Sequence, residues 1–186
     1  MPYIDVVSYD DSEGELRDIY DNLVQTRGKL ADVHMIQSLN PKSIVNHMDL
    51  YMTIMFGQSP LRRVQREMIA VVVSKNNDCA YCQLHHAAAV QHYWKDELKT
   101  NQLKKDYSKL ELSEIDLTLC DYAKSLTENP NGENKELTDK LRLLGLSDRA
   151  ILDAALVIAY FNFVNRIVLG LGLAVNEKEL EGYKYD

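Results

Sequence analysis

The sequence predicts an all-α fold. Apolar residues recur with a helical period along almost all of the 186-residue chain. Helix-start signals such as Asn40-Pro41 and Ser59-Pro60 alternate with glycines placed to end helices, such as Gly28 and Gly57. No alternating strand pattern bounded by a turn dipeptide is present. These three observations together predict helices packed around one core.

The first half of the chain predicts four helices. Ser12 to Glu15 has the pattern of a capping box, and Gly28 is placed to stop the helix that follows. The run Met68–Val73 has β propensity, but Glu67 and the long helical period around it favour a buried helix over a strand. The predicted helices span residues 12–27, 40–55, 60–75 and 79–94.

The second half predicts a charged linker with a short helix, two amphipathic helices and a long apolar helix. Their ranges are 95–109, 113–126, 137–144 and 147–169, with a turn over 128–132. We expect one domain over residues 1–186. Its parts are an N-terminal helical extension (about 1–57), a cysteine-containing core (about 58–95) and C-terminal helices (about 110–175).

Composition limits the possible partners and compartments. The net charge is −7, and no stretch gathers lysines and arginines, which argues against nucleic acid and anionic membranes. No uncharged stretch reaches the length of about 20 residues that a membrane span needs. The chain has three cysteines and no visible secretory signal, so we expect a reducing cytoplasm. In that compartment a close cysteine pair is typical of catalysis or metal binding.

The pair Cys79 and Cys82 carries the strongest chemical signal. Around the axis of an α-helix, Cys82 lies about 60° from Cys79 and His86 lies about 20° from Cys79. The three side chains therefore share one face. A thiolate attacks peroxides and disulfides, and both a helix N-terminus and a nearby histidine favour the thiolate. The second cysteine then resolves the oxidised intermediate.

The order of attack is open from the sequence, because Cys79 is nearer the helix N-terminus and Cys82 is nearer His86. We favour Cys82 as the activated thiol and Cys79 as its partner. Glu67 lies on the preceding helix, and antiparallel packing would bring it to His86, where it would orient the imidazole. The alternative is a solvated Glu67 beside Arg66.

Glu67, eleven intervening residues and then Cys79-x-x-Cys82-x-x-x-His86 resemble the active-site pattern of the alkylhydroperoxidase AhpD and carboxymuconolactone decarboxylase superfamily. The stretch 59–94, with its His85-His86 pair, and the stretch 159–166 look most like its branch of uncharacterised peroxidase-related proteins.

The resemblance implies an AhpD-like helical bundle that forms a homo-oligomer (dimer, trimer or hexamer). It implies a peroxidase or disulfide reductase with Glu67, Cys79, Cys82 and His86 as the catalytic site and no metal, flavin or haem. Hydroperoxide or disulfide would be the substrate, and a thiol or lipoyl-type dithiol the electron donor. Tyr81 stands where well-studied members often carry a histidine. Lactone decarboxylation is not expected, because the decarboxylase branch lacks the cysteine pair.

Other interpretations of the motif are a non-enzymatic redox sensor, a structural module whose cysteines are inert, and a zinc site. Cys79, Cys82, His85 and His86 have suitable ligand types for zinc, but no second CxxC or distant histidine pair completes a tetrahedral set.

Outside the motif, we expect Cys120 in the core, and His34 and His47 at the surface or an interface. Polar residues also interrupt the last apolar helix, and they leave several roles open: lining a pocket, contacting another subunit, or pairing with an acid such as Asp153. These residues are Asn162, Asn165 and Arg166.

Overall fold

The chain is helical throughout the part that the structure describes. The computed structural model describes residues 1–132 and 134–175, and the remainder of the expected single domain, residues 133 and 176–186, lies outside them. Within this part there is no strand, and the all-α prediction is confirmed. The helices are α1 (Gly14–Arg27), α2 (Asp32–Met35), α3 (Pro41–Tyr51), α4 (Arg63–Asn76), α5 (Ala80–Trp94), α6 (Glu97–Lys105), α7 (Glu114–Glu128), α8 (Asn134–Leu143) and α9 (Asp148–Gly170). A π-helical turn (Met52–Phe56) extends α3, and a 3-10 turn (Tyr107–Lys109) follows α6.

Helix α4 is the centre of the fold. It packs against α5, α6, α7 and α9, and every residue from 65 to 74 is buried. A helix enclosed on all sides needs apolar residues around its whole circumference. This enclosure explains the continuous run Met68–Val73, and it confirms the buried helix rather than the strand.

The sequence signals locate most helix ends to within a few residues. Ser113 and Ser147 cap α7 and α9 by accepting from the backbone N–H of Asp116 and Ala150. Gly28 ends α1 in the left-handed region at φ 83°, and its N–H donates to the carbonyl of Val24.

Three local predictions differ from the structure. The capping box at Ser12 is wrong, because its hydroxyl donates to the carbonyl of Tyr9 and α1 begins at Gly14. Helix α4 begins at Arg63 rather than at Pro60, and the backbone N–H of Arg62 donates to the side chain of Gln65. Helix α2 was not predicted, since four residues are too few to show a helical period.

Two apolar cores support the fold. The larger one surrounds α4 and includes Cys120, which is fully buried as predicted. The smaller one joins α1 to α3 through Tyr20 and Ile44. The loop between α1 and α3, over residues 28–40, contacts α5, where the hydroxyl of Tyr81 accepts from the backbone N–H of Val33.

Helix α9 is long and apolar enough to cross a membrane by length and composition alone. In this fold, however, 56% of its most apolar window is buried against other helices. Its hydropathy is therefore accounted for by its position in the core.

Alanine substitution of a buried and of an exposed leucine tests which leucines stabilise the fold. We expect Leu119→Ala on α7, where the side chain is 1% exposed, to lower the free energy of unfolding by about 2–5 kcal/mol. The matched variant Leu98→Ala, at 84% exposure, should change it by less than about 0.5 kcal/mol. Urea denaturation measures both, and equal effects would contradict this assignment of the core.

Candidate active site

The two cysteines lie where α4 turns back into α5. Asp78 adopts a left-handed backbone conformation at φ 54°, its N–H donates to the carbonyl of Lys75, and the N–H of Cys79 donates to the carbonyl of Ser74. This pair of hydrogen bonds is a Schellman closure of α4. Cys79 is at the same time the N-cap residue of α5, so the connection between the two helices is as short as a helical hairpin allows.

Asparagine side chains hold this connection against α9. The side-chain amide of Asn77 donates to the side-chain oxygens of Asn162 and Asn165, each at 3.0 Å. Asn165 is fully buried and donates to the hydroxyl of Ser74. It also hydrogen-bonds Cys82, and this contact works to lower the pKa of that thiol. Asn165 is therefore part of the cysteine site, a role that the sequence left undecided.

The two thiols are buried and hydrogen-bonded to each other. The hydrogen bond from the Cys82 side chain lowers the pKa of Cys79 against the opposing effect of burial, and the backbone N–H of Cys82 lowers it further. The same pairing, with burial and the nearby Cys79, raises the pKa of Cys82 well above its ordinary value. Of the two coupled thiols, Cys79 is therefore the one on which negative charge is favoured.

Glu67 meets His86 across the α4–α5 pair. Its Oε2 lies 2.6 Å from Nδ1 of His86, and its Oε1 accepts from Nε of Arg63 at 2.8 Å. The carboxylate is 1% exposed, which rules out the solvated alternative beside Arg66. Burial alone would raise the pKa of Glu67, but His86 and then Arg63 outweigh burial and hold it below its usual range.

Arg63 is a site residue that the sequence analysis did not identify. It lies one helical turn before Glu67, a spacing that favours an ion pair on the same helix face. Its guanidinium also lies over the ring of Phe56, 3.6 Å from the centroid. Arg66 has a different role, because it donates to the carbonyls of Ile54 and Gly57 and ties the π-helical turn to α4.

A cavity of about 100 Å³ opens beside these residues. Cys82, His86 and Glu67 line it, whereas Cys79 does not. Its other walls consist mainly of aromatic rings and three basic side chains. They include Tyr51, Phe56, Tyr81, Tyr160, Phe161, His34, His47, His85, Arg27, Lys29 and Arg63.

Tyr81 and His85 form the wall nearest the loop between α1 and α3. The hydroxyl of Tyr81 accepts from the backbone N–H of Val33 at 3.3 Å, so this residue between the cysteines braces that loop. The ring of His85 packs on Tyr81 with centroids 4.4 Å apart. Burial, then His86 and Lys29, lower the pKa of His85 to about 3, so the ring is neutral.

The prediction of a surface position is wrong for His47, whereas His34 is half-buried. His47 is 5% exposed, and its Nε2 lies 2.6 Å from the hydroxyl of Tyr160 on α9. His34 packs edge-on to His47, and its Nδ1 is buried without a hydrogen-bond partner. Both rings line the cavity, which the sequence had no means of indicating, because their partners lie on distant segments.

Arg166 takes no part in the cavity or in the suggested pair with Asp153. It donates to the carbonyl and side-chain oxygens of Asn162, one turn earlier on α9. Asp153 instead binds Arg149 and the hydroxyl of Ser59.

The geometry gives little support to the zinc alternative. Over residues 1–132 and 134–175, no three side chains of the metal-ligating types His, Cys, Asp and Glu come close enough together to hold an ion. His85 and His86 point to Tyr81 and Glu67 rather than to the two sulfurs.

Comparisons with known proteins agree with this geometry. Residues 46–93, which include Glu67, both cysteines and His86, match the model of the carboxymuconolactone decarboxylase family. No curated protein matches the chain. The resemblance to this superfamily is confirmed by the family match together with the solved structures.

Solved structures share the fold over nearly the whole chain. An uncharacterised peroxidase-related protein from Silicibacter sp. TM1040 is 27% identical with a TM-score of 0.87, covering 98% of this chain and 96% of its own. An alkylhydroperoxidase AhpD core protein from Ralstonia eutropha JMP134 is 22% identical with a TM-score of 0.85 and covers 98% of both chains. The debrominase Bmp8 is 19% identical with a TM-score of 0.76, covering 95% of this chain and 96% of its own.

The buried neutral histidines predict a loss of stability in mild acid. Burial lowers the pKa of His47 to about 4, whereas the unfolded chain binds this proton near 6.5. The contribution of neutral His47 to the free energy of unfolding is therefore fully present above pH 6.5, and it is lost as the pH falls from there towards 4. Between pH 6.5 and about 5, the free energy of unfolding should fall by on the order of 2 kcal/mol less in His47→Gln than in the wild type. Urea denaturation across this range measures it, and parallel profiles would contradict the assignment.

Proposed function

We propose that this chain, which has the AhpD-like fold, is a thiol-dependent peroxidase in which Cys82 reduces a hydroperoxide. One observation carries the proposal. Cys82, His86 and Glu67 line the same small cavity, and Glu67 engages Nδ1 of His86, so Nε2 is the ring nitrogen left for proton transfer.

The first step oxidises sulfur and breaks the peroxide bond. Cys82 attacks the terminal oxygen of the hydroperoxide, an S–O bond forms, the O–O bond breaks, and an alcohol leaves. The thiol proton passes through His86 to the leaving oxygen. We assign this step to Cys82 because the cavity reaches Cys82 and not Cys79, although the resting pair favours charge on Cys79.

The second step closes the disulfide. Cys79 attacks the sulfenic acid on Cys82 and releases water, and its lowered pKa supplies the thiolate for this attack. An external thiol or dithiol then returns two electrons and two protons. A protein disulfide could enter the same cycle as substrate. We infer a reducing cytoplasm as the compartment, because such donors are abundant there and the chain has only three cysteines.

A homo-oligomer is the assembly that we infer. Three apolar side chains, Leu152, Leu156 and Phe163, lie on one face of α9 and are 41–53% exposed. Apolar side chains that share one helix face support a contact with another copy of the chain.

Removal of either sulfur should stop turnover. We expect Cys82→Ser and Cys79→Ser to lose continuous consumption of cumene hydroperoxide with dithiothreitol as donor, because each removes a step of the cycle. Stopped-flow absorbance measures the rate. Cys120→Ser is the matched control, since Cys120 is buried outside the cavity and should leave the rate unchanged. Full activity in both site variants, or one turnover only in the wild type, as a redox sensor would give, would contradict the proposal.

Reductive dehalogenation of an aromatic ring is the second candidate function. Five tyrosine and phenylalanine rings line the cavity, which suits a flat substrate. The structural relative Bmp8 is a debrominase, and a cysteine-to-alanine variant of it forms a complex with 2,3,4-tribromopyrrole. Here the thiolate of Cys82 would take the halogen, and the ring carbon would receive the C–X electron pair and a proton from His86. Cys79 would then expel halide and form the disulfide.

Bromide release distinguishes the second candidate from the first. We expect a dehalogenase to release bromide from 2,3,4-tribromopyrrole in the presence of dithiothreitol, with Cys82→Ser inactive and Cys120→Ser unchanged. Ion chromatography measures the bromide. A wild type that consumes hydroperoxides and releases no bromide would eliminate this candidate.

A further inference from the structure

A second chain of hydrogen bonds, separate from the Glu67–His86 pair, lies at the cavity wall. It runs from Gln37, after α2, through His47 on α3 to Tyr160 on α9. The peroxidase cycle described above does not use these residues, and both His47 and Tyr160 line the cavity with Cys82.

The direction of this chain follows from Gln37. Its Nε2 donates to the carbonyl of Val33 at 2.8 Å and lies 2.8 Å from Nδ1 of His47. A carbonyl only accepts, so the amide nitrogen must face Val33, and Nδ1 of His47 must accept in turn.

The tautomer of His47 is thereby fixed. Burial keeps the imidazole neutral by lowering its pKa to about 4. A neutral ring whose Nδ1 accepts carries its proton on Nε2, and that proton is donated to the hydroxyl oxygen of Tyr160 at 2.6 Å.

The hydroxyl proton of Tyr160 is therefore available for donation to a bound substrate. Its oxygen is occupied by the donor on His47, and that bond is the one Tyr160 side-chain hydrogen bond found over the described residues. Burial, then Tyr51 and Cys82, raise the pKa of Tyr160 well above its ordinary value, so the proton stays on the oxygen. The side chain is 5% exposed and lines the cavity with Cys82. Charge on Cys82 is one of the causes of the raised pKa of Tyr160.

We propose that Tyr160 is a catalytic residue that donates a hydrogen bond to the leaving oxygen of the hydroperoxide, with His47 and Gln37 as positioning residues. This inference rests on the peroxidase function proposed above. When the thiolate of Cys82 forms the S–O bond, the electron pair of the O–O bond moves to the inner oxygen. A preorganised O–H in a buried site stabilises that developing charge, and His86 then supplies the proton that completes the alcohol.

The test compares two leaving groups in Tyr160→Phe. With cumene hydroperoxide the leaving group is a basic alkoxide, and we expect kcat/KM to fall on the order of a hundredfold, mainly in kcat. With perbenzoic acid the leaving group is a stable carboxylate that needs little assistance, and the loss should be much smaller. A merely structural role would lower both rates equally.

Two controls separate the inference from misfolding and from loss of the nucleophile. Tyr20→Phe removes another buried tyrosine hydroxyl, which donates to the carbonyl of Val7 away from the cavity, and it should leave both rates unchanged. Alkylation of Cys82 by iodoacetamide has no oxygen leaving group, so its rate should be the same in Tyr160→Phe and the wild type.

Variants of His47 test the positioning role. His47→Leu removes the donor to Tyr160 and should reproduce the leaving-group dependence, whereas His47→Gln retains an N–H and should restore most of the rate. The double variant His47→Leu/Tyr160→Phe should be no slower than Tyr160→Phe alone, because both changes act on the same hydrogen bond, from Tyr160 to the leaving oxygen.

Each outcome decides a different claim. Equal losses of Tyr160→Phe with both substrates, or no loss, would overturn the role of Tyr160 and leave the peroxidase intact. A wild type without reactivity towards either peroxide would overturn the proposed function, and this inference with it.

Discussion

The buried carboxylate of Glu67 is the constraint on which the rest of the site depends. An ionised group that is 1% exposed requires compensating partners, and the fold supplies two, Arg63 from the same helix and His86 from the next. Because both contacts must be satisfied together, they hold the antiparallel register of α4 and α5. They also fix which nitrogen of His86 is engaged, and so which one remains for the cavity.

The turn between α4 and α5 carries the second constraint. A Schellman closure with Asp78 in the left-handed region lets Cys79 end one helix and begin the next. The cysteine spacing then brings both sulfurs into one hydrogen-bonded pair, and Asn77 and Asn165 tie that pair to α9. Cys82 lines the cavity and Cys79 does not, so the two cysteines differ in their access to a substrate.

The cavity itself is formed by segments that are distant in the chain. The α4–α5 pair supplies Cys82 and His86, α3 supplies His47, and α9 supplies Tyr160. His47 and Tyr160 are 113 residues apart, yet their contact is what orients a hydroxyl beside Cys82. The smaller apolar core between α1 and α3 therefore matters for chemistry, since it holds His47 in place.

The sequence by itself determined the helical class, most helix ends, and the group Glu67, Cys79, Cys82 and His86 as a candidate site. These features depend on local spacing, on caps and on two consecutive helices, all of which a linear pattern contains. Arg63 could also have been predicted from the sequence, because it lies four residues before Glu67 on the same helix. Only the tertiary structure decided that the cavity exposes Cys82, that Asn165 contacts its thiol, and that His47 is buried against Tyr160. Those contacts join segments far apart in the chain, and isolated polar residues carry no periodic signal that tells a surface position from a buried partner.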